Sequence, residues 1–173
     1  MEIVRSSTPA PVRIALKEAV SIALTKDEAT LKAYVQDLEE KWHKLNPEDI
    51  AFPRGINGLK EYSDSSSIFR KGTPIHVRGA LIYNHLIASK GLEKKYQPIQ
   101  EGDKIKFLYL RQPNPLGTHV ITFNNGVPPE FNLHDYIDYD TMFEKSFLEP
   151  LNSLLSCIGW QVKEQATLEG LFG

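Results

Sequence analysis

Arg54, Lys60, Arg70, Lys71 and Arg78 share one stretch of chain with Gly55, Asn57, Gly58 and Thr73. Small and polar residues let an anion approach the backbone closely, and the basic side chains supply the field that draws it in, so this combination is suited to gripping phosphate. From Arg54 to Arg111 there are eleven Lys and Arg against five Asp and Glu, a balance of +6, while the rest of the chain has nine against seventeen, a balance of −8. A pI near 6.2 therefore conceals a dipolar molecule. Arg78 also falls in the first turns of a helix predicted from Pro74, where free backbone N–H groups favour an anion, with Thr73 as the expected cap. For any one of these residues alone, a solvated basic edge is the simpler reading. The cluster of Arg54, Asn57, Lys60, Lys71 and Arg78 is what points to phosphate.

No catalytic set assembles beside it. His43, His76, His85, His119 and His134 are scattered, and none pairs with another at metal-ligand spacing. Tyr136-Ile137-Asp138-Tyr139-Asp140-Thr141 spaces two carboxylates as two-metal sites do, but that chemistry needs them converging at the turn of a hairpin. Here Met142, Phe143, Phe147, Leu151 and Leu154 follow at helical spacing, so the acids are expected to serve a helix N-terminus. The competing reading is a small metal-dependent hydrolase using His134, Asp138 and Asp140. The lone cysteine, Cys157, precludes an intrachain disulfide and a multi-cysteine zinc site, and Leu154-Leu155-Ser156-Cys157-Ile158 reads as the buried face of a helix. No apolar run approaches the roughly 18 residues of a membrane span, so a soluble, cytoplasmic protein with no membrane partner is expected.

The elements that must carry the cluster follow from periodicity. Thr8 and Pro9 open a helix through Val12, Leu16, Ala19, Val20 and Ala23, and Thr25-Lys26-Asp27-Glu28 reads as a capping box for a second. Leu31, Val35, Leu38, Trp42 and Leu45 form the stripe of that second helix, which packs antiparallel to the first and closes at Asn46-Pro47. A short strand near Ile50-Ala51-Phe52 precedes a Gly- and Ser-rich loop. A helix from Pro74 to Ser89 stops at Gly91, and strands are expected at 104–110 and 119–123, on either side of an Asn114-Pro115-Leu116-Gly117 turn. The last long helix should start between Asp138 and Thr141 and run towards Ile158, with a kink or break at Pro150. The expected fold class is α+β: a helical base from 9–46 and 138–158, and a strand-containing lobe over about 50–123.

The tail carries a second signal. Gln165, Leu168, Leu171 and Phe172 are spaced as in peptides that dock on ring-shaped sliding clamps, a single turn bringing the three apolar side chains to one side. The last eight or so residues are expected to become ordered only on such a clamp.

Taken in order, these blocks resemble a known family. Arg5-Ser6-Ser7-Thr8-Pro9, Phe52-Pro53-Arg54-Gly55, Pro74-x-His76-x-Arg78-Gly79, Leu110-Arg111-x-x-Asn114-Pro115-x-Gly117 and Glu144-Lys145-Ser146-Phe147-x-x-Pro150-Leu151 are similar to the thumb of family B DNA polymerases from T-even-type bacteriophages. The resemblance covers essentially all 173 residues and departs at the end, where the tail stops at Leu171-Phe172-Gly173. It implies a thumb over 1–158 and a clamp-binding tail over 159–173, acting in the cytoplasm of an infected bacterium. It implies a chain with no catalytic centre and no cofactor of its own, the divalent metal belonging to a palm that this chain lacks. Its partners would be primer–template duplex, the sliding clamp and the palm and exonuclease portion of the polymerase. Asn57, Lys60, Tyr62, His76 and Arg78 match or nearly match the family's DNA-facing positions, contacting phosphate and sugar without reading sequence. Two readings of the chain itself stay open: a fragment, or one subunit of a split polymerase. A module that binds only the clamp, without touching DNA, is the remaining alternative.

Overall fold

The computed structural model describes residues 8–157, which excludes the Arg5-Ser6-Ser7 start of the first block and the whole of the tail in which a clamp-binding motif is expected. The fold is mixed α+β, as the periodicities predict, and it divides into two compact units at Ile50/Ala51 and at Asp138/Tyr139.

In the helical unit, α1 (Ala10–Thr25) and α2 (Glu28–Trp42) pack together, and Tyr34 donates a 2.7 Å hydrogen bond to Glu18 across the pair. Val12, Leu16, Ala19, Val20 and Ala23 are all buried, because each lies on the face that an apolar 3.6-residue repeat presents to a neighbour. Two caps differ from expectation. The N-cap of α1 is Pro9 with no side-chain bond, which leaves Thr8 outside that role. The N-cap of α2 is Asp27, whose carboxylate accepts from the Thr30 amide at 2.8 Å and its hydroxyl at 2.6 Å. Thr25 instead donates to the Ser21 carbonyl within the last turn of α1, because its own backbone is still helical. Pro47 opens α3 (Pro47–Ile50), so Ile50 ends a helical turn rather than starting a strand.

The second unit begins with β1 (Phe52–Gly55), α4 (Leu59–Tyr62) and a small hairpin of β2 (Ser63–Asp64) and β3 (Ile68–Phe69). Helix α5 (Ile75–Ser89) follows, then β4 (Lys104–Tyr109) and β5 (Val120–Phe123). The three long strands form an antiparallel sheet in the order β1-β4-β5. Register places Phe52 opposite Phe107 and Phe107 opposite Thr122, so these three stand in one row on one face. Helix α5 packs on that face, with Val77, Ala80, Tyr83 and Ile87 buried beneath it. The closest approach is at Gly79, where a Cβ would collide with the Thr122 hydroxyl and stand 2.8 Å from the Thr122 nitrogen. Thr122 fastens the same point by donating a 2.8 Å bond to the His76 carbonyl. The helix ends as expected at Gly91, with φ +66° and the Leu92 amide reaching back to the Ile87 carbonyl at 2.8 Å.

Beyond Asp138 the chain returns to the helical unit as α6 (Tyr139–Phe143), a π-helical turn over Glu144–Leu148 and α7 (Glu149–Cys157). Pro150 is the cause of the widened turn, because it has no N–H for the Ser146 carbonyl and its ring crowds that position. The Glu149 amide bonds the Glu144 carbonyl five residues back, so the helix widens by one residue instead of breaking. Trp42 is fully buried here, donating to the Tyr139 carbonyl at 2.9 Å, its ring tilted by 60° against that of Phe143 at 5.5 Å between centres. Cys157 is exposed, contrary to the expectation of a core thiol. Leu151 and Leu155 hold the buried face of α7, and position 157 is about 200° around the helix from 155.

Candidate nucleic-acid interface

All seven residues read as DNA contacts are in the second unit, but six of them divide into three groups and Lys71 stands apart. Arg54 and His76 form the first. Arg54 projects from β1 on the sheet face that α5 covers, its guanidinium 5.5 Å from the Phe52 ring centre and 5.4 Å from that of Phe107. It also donates a 2.7 Å bond to the Pro53 carbonyl. His76, in the first turn of α5, lies 6.4 Å from the same Phe107 ring. Burial lowers the pKa of His76, and the neighbouring Arg54 charge lowers it further, against a backbone hydrogen bond at Gly55. His76 is therefore a neutral imidazole at neutral pH, a hydrogen-bonding group rather than a charge. Burial likewise pulls Arg54 below its usual value, which leaves it cationic. Phe52 and Phe107 stack on each other with ring centres 5.2 Å apart, and a half-buried cation resting against that pair has few rotamers left, so its charge is held in place before a ligand arrives.

Asn57, Lys60 and Tyr62 form the second group, around Gly58 and α4. Gly58 has φ +92°, and the Tyr62 ring lies 2.9 Å from where a Cβ would sit, so glycine meets both the backbone and the packing demand. Asn57 and Lys60 are exposed and Tyr62 is half-buried, its carbonyl accepting from the Arg70 amide at 2.8 Å. Two backbone donors of this turn are occupied: Glu101 accepts from the Gly58 amide at 2.6 Å and from Leu59 at 3.1 Å. An acid within the basic stretch thus holds the turn, and the exposed side chains rather than the glycine amides are left to meet an anion. Lys71 is exposed in the connection to α5.

Arg78 belongs to a third group. It lies two positions beyond His76, about 200° around a helix, so it points to another face. Its guanidinium lies 5.1 Å over Phe69 of β3, with a 3.5 Å contact from Nη2 to the Thr73 carbonyl. Thr73 does not cap α5: its hydroxyl donates to the Arg70 carbonyl at 2.5 Å, and Pro74 is the N-cap without a side-chain bond. Missing from the sequence reading are the aromatic rings that seat the cations, Phe52, Phe107 and Phe69. Their signal was the alternation of Phe107 and Tyr109 along β4 and the position of Phe52 two residues before Arg54, where a strand puts both on one face.

The acidic pair of the competing hydrolase reading does not converge with His134. Asp140 lies 2.8 Å from Nε2 of His43, whose Nδ1 is 2.8 Å from the Glu39 carbonyl, so it serves an imidazole rather than the first amides of a helix. Among the described residues, no group of three or more His, Cys, Asp or Glu could hold a metal ion. The Glu39 carbonyl raises the pKa of His43, and Asp140 adds to it. The associated stability is fully present below the ordinary histidine value and is lost as pH rises through the raised one. Exposed pairs contribute only about 0–1 kcal/mol, so the imidazole itself is the better probe. Asp140→Asn should lower the His43 pKa in an NMR titration, and an unchanged titration would show that Asp140 contributes nothing.

No family model matches the chain. The chain is, however, 33% identical over 177 residues to the DNA-directed DNA polymerase of Enterobacteria phage T4, a match covering 100% of this chain and 19% of that protein. It is 32% identical over 176 residues to the DNA-directed DNA polymerase of Escherichia phage RB69, covering 99% of this chain and 19% of that protein. This chain is homologous to a segment of a phage DNA polymerase. It spans about a fifth of the length of the curated relatives it matches. Among the described residues, no helix is long and apolar enough to cross a membrane.

Proposed function

We propose that this chain acts as the thumb of a replicative family B DNA polymerase, gripping primer–template duplex through the phosphate backbone and reaching the sliding clamp through its tail. The observation that carries the proposal is the end-to-end match of the chain to a fifth of a phage polymerase. The seated cations of the second unit support it. Arg54 and Arg78 hold charge on aromatic rings, and Lys60 and Lys71 are exposed nearby in sequence. Contacts of this kind are to phosphate and sugar, which position a duplex without reading it. The chemistry of nucleotide addition, with its divalent metal, belongs in this reading to the remaining four-fifths of such a polymerase, whether joined in one chain or supplied as a separate subunit.

Duplex binding should be weak and independent of sequence, in the range of about 10⁻⁴ to 10⁻⁶ M near physiological salt. Arg78→Ala should weaken it uniformly across sequences and flatten the salt slope by about one unit, as loss of one phosphate contact requires. Fluorescence anisotropy on two unrelated duplexes across a salt series measures both quantities. Equal affinity at low salt for the wild type and an Arg54→Gln/Arg78→Gln double variant, each shown to be folded, would leave a clamp-binding module as the better reading.

A further inference from the structure

A cavity of about 490 Å³ opens within the second unit between β3, α5 and the 115–119 turn. That size falls in the roughly 300–1,000 Å³ range of small-ligand sites. Its floor is apolar, with Ile82 and Leu86 one turn apart on α5 and Pro115 and Leu116 from the turn. Arg78 lines the same cavity, and its Nε is buried with no hydrogen-bond partner among the described residues. A buried donor without an acceptor is costly, and the long contact to Thr73 does not relieve it, because that contact is made by Nη2. His85 and His119 are exposed and complete the lining.

We propose that this cavity receives one unpaired nucleotide, its phosphate on Arg78 and its base against Ile82, Leu86 and Leu116. The guanidinium fork matches phosphate oxygens, and the two imidazoles add further N–H groups that can donate to an anion. The apolar floor suits the faces of a base. A base still stacked and paired in duplex could not enter, so the ligand is a nucleotide outside the helix, such as one at a strand end or a bulge. The choice of a nucleotide rests on the reading of this unit as DNA-facing, but free mononucleotide tests it without any duplex.

The full chain, labelled at histidine, is titrated with thymidine 5′-monophosphate, thymidine and inorganic phosphate while the imidazole signals of His85 and His119 are followed by NMR. Thymidine monophosphate should shift both signals saturably and bind at least tenfold more tightly than thymidine or phosphate. Leu116→Trp, which fills the cavity, should abolish those shifts. Equal affinity for the monophosphate and for phosphate would overturn the proposal, as would saturable shifts that survive Leu116→Trp. Should that variant not fold, the comparison of the three probes on the wild type decides alone. Loss of duplex binding with intact mononucleotide binding would remove the duplex reading and leave this one standing.

Discussion

Gly79→Ala should destabilise the strand-bearing unit by about 3 kcal/mol, the upper end of what one inserted methyl group costs in a packed site. The added Cβ meets the Thr122 hydroxyl and, at 2.8 Å, the Thr122 backbone nitrogen. A side chain can turn away, but a strand nitrogen in the middle of the β4–β5 ladder cannot move without the sheet. Helix α5 must therefore lift, and His76 and Arg78 lift with it, so duplex affinity should fall together with stability. Gly55→Ala is the matched control, since nothing lies within 4 Å of a Cβ there, and it should be close to neutral. Urea unfolding measures both. Thr122→Ala in the Gly79→Ala background should recover only part of the loss, because it removes the hydroxyl and leaves the nitrogen. A Gly79→Ala protein as stable as Gly55→Ala would show that the helix is free to shift, and that the close approach does not set the position of Arg78.

Deleting residues 166–173 should abolish binding to the sliding clamp while leaving the two units folded and duplex affinity unchanged. These residues lie outside those described, and their types alone set the energetic balance. Leu168, Leu171 and Phe172 together could contribute roughly 1.5–3 kcal/mol each if fully buried, against about 1–2 kcal/mol for each backbone residue fixed. Three apolar side chains among eight residues do not offset that cost by folding alone, whereas a preformed pocket buries all three at once. The consequence for replication would be large: tethering raises the local concentration of the polymerase on DNA, so a weak grip still supports processive synthesis. Pull-down and calorimetry with the purified clamp measure the loss, and circular dichroism checks the fold. Clamp affinity that survives the deletion, or a domain that unfolds with it, would make the tail a structural element.

The sequence alone determined those features whose causes are local. An apolar repeat of 3.6 residues defines α1 and α5 wherever the neighbours happen to lie, alternation marks the start of β4, and a run of β-branched and aromatic residues marks β5. Gly91 was legible as a stop because a left-handed backbone favours glycine, and Pro150 as a disturbance because it lacks an N–H. The ordered motifs also placed the chain beside phage polymerases, which the end-to-end match supports. Tertiary structure decided which partner each polar group takes. Thr25, Thr73 and Asp140 all had the chemistry to cap a helix, and each bonds something else, because a cap depends on backbone angles and neighbours that a residue type does not encode. The cationic cluster is the larger case. In sequence, Arg54 and His76 are 22 positions apart and His76 and Arg78 are two. In space, the β1–β4 pairing and the docking of α5 bring Arg54 to His76 over one Phe107 ring, while the helical twist turns Arg78 away to Phe69 and its own cavity. Proximity along a chain counts residues; a helix turns by about 100° at each one and a sheet joins strands from anywhere, so only the packed fold assigns each charge its neighbours.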